Sequence, residues 1–183
     1  MKKLLLATAT VLAFTPAFAD DDEIRANLMG FQEVPVVSTV GTGRLKAQIS
    51  KDERTIFWEL SYSGMQGTVT QAHIHVGQRS VNGGIVLWFC GTTLNAPGVA
   101  NTPGPAGTQV CTSPSGNFSG KFTDANVQTV ATQQIGPNEL SEVIAAIRAG
   151  KAYANVHTLA SPGGEIRGQI RGDRGHHHHD RDD

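Results

Sequence analysis

The stretch QAHIHVG, residues 71–77, decides how this chain is read. Ala72, Ile74 and Val76 are small or apolar, and Gln71, His73 and His75 alternate with them. Side chains two apart on a strand share a face, so a period of two marks a β-strand with one apolar and one polar face. The apolar set belongs in a core. The polar set looks outward from the barrel, or lies beneath a covering loop, and carries two imidazoles side by side. YANVHT, residues 153–158, repeats the pattern: Ala154 and Val156 alternate with Tyr153, Asn155 and His157. Apart from a run at 176–179, these are the only histidines in the chain.

Outward from this strand the chain reads as all-β. It is rich in Thr and Val, and its 21 glycines help to punctuate short segments. Strands are expected near Ile24–Met29, Gly43–Ile49, Thr55–Tyr62, Val69–Val76, Ile85–Phe89, Gly116–Phe122, Ala152–His157 and Glu165–Arg171. KDER at 51–54 and NGG at 82–84 read as turns. Short strands at regular spacing predict an antiparallel Greek-key β-sandwich or barrel. One segment departs from the pattern. Leu140, Val143, Ile144 and Ile147 recur at three-and-four spacing, which predicts one short helix over Glu139–Ala149 near the C-terminal strands, closed by Gly150.

The start of the chain reads as a signal peptide over residues 1–19. Lys2 and Lys3 precede a short apolar run, and Ala17-Phe18-Ala19 offers a cleavage site. No later stretch approaches the about 18 apolar residues of a membrane helix, so no membrane span is expected. The expected location is periplasmic or secreted. The 183 residues less the 19 of the signal leave 164, enough for one domain over 20–172. Removing two lysines takes the formal charge from −1 to −3, and no basic stripe points to nucleic acid. Cys90 and Cys111, an even pair in an exported chain, are expected to form a disulfide. That bridge would tie the long Gly- and Pro-rich loop at 91–115 to the sheet. Residues 173–183 carry no periodic pattern and are expected to be a disordered His- and Asp-rich tail. Within it His176, His177, His178 and His179 read either as part of an appended tag or as a weak, flexible native metal site.

His73, His75 and His157 are the candidate metal ligands. Neutral imidazoles from two strands suit copper and zinc. On spacing alone, a solvated surface pair is the plainer reading of His73 and His75. Asn155, Glu165 and Arg167 are the candidates for groups surrounding the ligands, with Glu165 and Arg167 also read as an ion pair or hydrogen-bond set. Trp58 and Trp88 read as packing residues, Met65 as a remote candidate axial ligand. Glu53 and Glu59 offer carboxylates that nothing singles out. No nucleophile elbow and no phosphate-binding loop occurs, so no catalytic residue is named.

AHIHVGQRSVNGGIVLWFC followed by AYANVHTLASPGGEIRGQI resembles the CHRD domain, a family named from the developmental protein chordin and found in many exported bacterial proteins. The likeness runs from about Ile24 to Arg171. It implies a β-sandwich and no defined activity. A more distant likeness is to copper–zinc superoxide dismutases, which place an H-x-H pair on a barrel strand. It sets His73, His75 and His157 on the copper side and Arg167 near that family's arginine. A bridging histidine and a zinc loop are missing, so the likeness implies a single copper site rather than dismutation.

The resulting expectation is an exported CHRD-domain protein that binds a transition metal, copper ahead of zinc, through three histidines, in copper binding or handling. The rival from another class is a metal-free protein-interaction module whose partner is another exported protein. A superoxide dismutase-like oxidoreductase is the weaker alternative.

Overall fold

The computed structural model describes residues 23–92 and 103–172. The expected signal peptide, the middle of the 91–115 loop and the expected tail at 173–183 lie outside the described residues.

The strands are β1 (Glu23–Met29), β2 (Thr42–Ile49), β3 (Ile56–Ser63), β4 (Val69–Val76), β5 (Gly84–Gly91), β6 (Gln109–Val110), β7 (Gly116–Phe122), β8 (Ala152–Thr158), β9 (Ile166–Gln169) and β10 (Arg171–Gly172). They form one curled sheet in the order β6-β5-β4-β8-β9-β1-β2-β3-β7, with β10 on β1. The expected all-β class holds. Every neighbouring pair is antiparallel except β5–β6, which is parallel. The expected last strand is broken. The Ile170 amide still donates to the Ala152 carbonyl of β8, in register with β9, and β10 beyond it pairs with β1.

The curl is visible in aromatic contacts. Trp58 on β3 meets Phe89 on β5 edge-on at 4.9 Å and stacks on Phe122 of β7 at 5.1 Å. β5 and β7 lie near opposite ends of the strand order, so the sheet wraps until its ends share one core. Alternation supplies that core: Ile24, Ala26 and Leu28 from β1, Leu45, Ala47 and Ile49 from β2, Ala72 and Ile74 from β4. Cys90 and Cys111 are bridged, Cα to Cα 5.0 Å. Just beyond the bridge the Tyr62 hydroxyl donates to the Thr112 carbonyl at 2.7 Å, which joins this segment to β3.

Helix α1 (Leu140–Arg148) buries the four residues of the expected stripe, Leu140, Val143, Ile144 and Ile147, against β4, β8 and β10. Gly150 ends it at φ +67°, a conformation that costs glycine little.

The two halves of the sheet differ in what covers them. Along β1 buried and exposed residues alternate strictly. Along β8 and β9 every residue is buried, and β4 is nearly so. The polar faces of these three strands are therefore covered, and segments 30–41, 77–83 and 159–165 do the covering. The Asn82 amide donates to the Val34 carbonyl at 3.2 Å and the Thr39 hydroxyl to Glu165 at 2.7 Å, which fastens the first segment.

Candidate metal centre

Strand register brings the polar residues into rows. His75 lies opposite Tyr153, His73 opposite Asn155, and Gln71 opposite His157. On the next strand Gln169 pairs with Tyr153 and Arg167 with Asn155. All of these side chains share the loop-covered face. The solvated-pair reading of His73 and His75 is thereby corrected: His73 is fully buried, and His75 and His157 are each 7% exposed.

The three histidines form one cluster. Ring centroids of His73 are 4.6 Å from those of both His75 and His157. One ligand atom from each ring lies within 4.8 Å of the others, and among the described residues no other such group of His, Cys, Asp or Glu occurs. Backbone carbonyls orient two of the rings. His75 Nδ1 is 2.8 Å from the Gly83 oxygen, and His157 Nδ1 is 2.9 Å from the Pro162 oxygen. A carbonyl oxygen only accepts, so in the neutral rings Nδ1 carries the proton and Nε2 keeps its lone pair. His157 Nε2 and both nitrogens of His73 are buried without a partner.

Burial sets the charge state. It drives the His73 pKa well below the ordinary value, and any charge on His157 or His75 pushes the same way. Burial lowers His75 to about 4, against the opposing pull of the Gly83 carbonyl. His157 is lowered too, again mainly by burial. All three rings are neutral at neutral pH, the form that ligates.

Aromatic rings wall the cluster. Trp88 on β5 meets His73 edge-on at 4.9 Å, and Tyr153 stacks on His75 at 4.6 Å with planes 5° apart. The Arg167 guanidinium lies on the other partner of that stack, 3.4 Å from the Tyr153 ring centre. Its nitrogens donate to Asn82 Oδ1, the Gln78 carbonyl and the Val81 carbonyl, which holds the 77–83 segment over the site.

Of the surrounding candidates, Asn155 reaches the cluster directly, its Oδ1 3.1 Å from His75 Nε2. Arg167 acts through Tyr153 and the covering segment. Glu165 is elsewhere engaged: Thr39, the Gln66 amide and Thr158 all donate to its carboxylate. Burial pushes its pKa up, and these hydrogen bonds outweigh that and hold it below the usual value. Glu165 and Arg167 thus belong to two separate hydrogen-bond sets, which corrects the ion-pair reading. Met65 packs in the core beside Gly41. Glu59 lies on the exposed face of β3, and Glu53 pairs with Arg148 at the surface.

Sequence reasoning missed Glu33. It is 4% exposed, its Oε1 has no partner, and it contacts the Asn155 side chain. Burial raises its pKa to about 7, although Arg167 opposes the shift. Its room comes from Gly164, at φ +125°, where a Cβ would run into the carboxylate. The double glycine in SPGGEIRG was the available signal.

Residues 24–170 match the family model of the CHRD domain. The chain belongs to the CHRD domain family. Comparisons with curated proteins and with solved structures returned no match. In this CHRD domain both halves of the family-like sequence, AHIHVG and YANVHT, supply the histidine cluster, on strands β4 and β8 that lie side by side.

Proposed function

We propose that this CHRD domain is a transition-metal-binding protein whose ligands are His73, His75 and His157. The observation that carries the reading is the convergence of three buried, neutral imidazoles with donor atoms within 4.8 Å. Donors on one four-coordinate ion stand about 3.4 Å apart, so each ring has to move inward by less than about 1 Å. Burial that would penalise the partnerless nitrogens of His73 and His157 becomes favourable when an ion takes the lone pairs of the three rings.

Copper stands ahead of zinc because nitrogen sites hold it more tightly. With the signal-like start, the role is copper binding or handling in the periplasm or outside the cell. The test is a copper and zinc titration of the chain with His176–His179 changed to alanine, beside the same chain carrying His73→Ala and His157→Ala. One ion bound per chain, lost in the double variant, supports the reading. Binding indifferent to those changes overturns it.

A second reading, a metal-free interaction module, has one observation in its favour. Phe31, Val36 and Val40 on a covering segment are 69%, 65% and 75% exposed. It gains if the chain binds no metal and a partner's affinity depends on Phe31. No observation favours dismutation.

A further inference from the structure

The amide of Asn155 stands in an arrangement that hydrogen bonding alone does not explain. His75 gives its single proton, on Nδ1, to the Gly83 carbonyl. Its Nε2 lone pair then faces Asn155 Oδ1, a second acceptor, at 3.1 Å. Two acceptors held that close repel each other unless a cation lies between them. Asn155 also stands opposite His73 on the neighbouring strand, beside that ring yet outside hydrogen-bond geometry. The Asn155 side chain also contacts the Glu33 carboxyl.

The distance has a second meaning. Two donors at about 2.1 Å from one ion are about 3.0 Å apart at a right angle and about 3.4 Å apart in a tetrahedron. The observed 3.1 Å lies inside that range. Resting on the three-histidine reading, we propose that Asn155 is the fourth ligand, its Oδ1 joining the imidazoles on a divalent ion, and that this set selects Zn(II) or Cu(II) over Cu(I). An amide oxygen is a hard donor, which suits divalent ions and disfavours soft monovalent copper. The four donors are all neutral, and the Glu33 carboxyl, in contact with the Asn155 side chain, can give up its proton to offset the charge of a buried dication.

The test uses the full chain with the four tail histidines changed to alanine, loaded with Co(II) as a spectroscopic probe and with Zn(II) for affinity. Asn155→Cys should place a thiolate on the ion and add a sulfur-to-Co(II) charge-transfer band. Asn155→Asp should bind Zn(II) more tightly than the parent, and Asn155→Ala should lose at least about tenfold. If the Cys variant binds Co(II) through the histidines with no such band, or does not fold while Asp leaves the affinity unchanged, the assignment is overturned and the three-histidine site stands. If Asn155→Ala binds more tightly, the amide was donating to His75, and the assignment is likewise overturned. If the parent's binding is indifferent to His73→Ala, both readings fail together.

Discussion

Glu33→Gln should change how the metal-free protein responds to pH, in a direction opposite to most carboxylate substitutions. Glu33 has its pKa raised to about 7 in the fold from an ordinary value of 4.5, chiefly by burial. A raised value means that the folded state binds the proton more tightly than the unfolded one. The group's contribution is therefore fully present below about pH 4.5 and is lost as pH rises through about 7. With about 1.4 kcal/mol per unit, the loss between about pH 5 and about pH 8 is about 2 to 3 kcal/mol. Glutamine keeps the shape of the protonated acid and cannot ionise. The stability difference between Glu33→Gln and the parent should thus grow in the variant's favour by that amount across the interval. Urea unfolding of chelator-treated protein at a series of pH values reads it directly. A difference that stays flat within about 1 kcal/mol from pH 5 to pH 8 would refute the reasoning, because it would mean that Glu33 titrates in the fold as it does in water.

The histidines act with the opposite sign. Their folded pKa values are depressed, so stability of the metal-free chain is full above about pH 6.5 and falls as pH drops toward 4. The same urea series should show it, and replacing His75 with a non-titrating residue should flatten it by up to about 1.4 kcal/mol per pH unit. Metal binding should follow: at about pH 5 the core site keeps its ion, whereas freely solvated imidazoles, which titrate near about 6.5, release theirs. Desalting the intact and tail-substituted chains at that pH and measuring bound metal checks it; equal loss from both sites counts against the cluster. Reducing the Cys90–Cys111 bridge should cost about 3 kcal/mol in unfolding free energy, from the loop that its 21-residue separation closes. Gly164→Ala should destabilise by about 1–3 kcal/mol, since its φ of +125° is strained for alanine and its Cβ displaces Glu33. A neutral result would place Glu33 away from Gly164.

The strands were legible because alternation is a local signal. Ile24, Ala26 and Leu28, or Ala72 and Ile74, declare an inner face without knowledge of any neighbour. The helix was legible for the same reason at a different period, and its four buried residues are the four of the sequence stripe. Neighbour relations were not legible. Nothing in residues 84–91 and 116–122 says that Phe89 and Phe122 come within 5.4 Å, ring to ring, as the sheet closes on itself. The two-residue strands β6 and β10 are too short to carry a period, and β6 exists because the disulfide brings Gln109 beside Cys90.

At the site, alternation placed His73, His75 and His157 on polar faces but not under cover. Whether such a face is wet depends on segments 30–41, 77–83 and 159–165, which have no periodicity and come from distant parts of the chain. Once covered, a polar face is tolerable only if its groups find partners, since an unpaired buried group costs about 1–3 kcal/mol. Most do: Arg167 has three acceptors and Glu165 three donors. Six buried side-chain atoms among the described residues lack a partner, and five of them belong to His73, His157, Glu33 and Gln169. The sixth, Trp58 Nε1, lies in the core between the halves of the sheet. Random imperfection would scatter such atoms over the molecule. Their concentration around three neutral imidazoles, with a lone carboxylate behind Asn155, is the pattern expected where a bound cation completes the polar network, and it is the reason the cluster is better read as a centre than as covered surface.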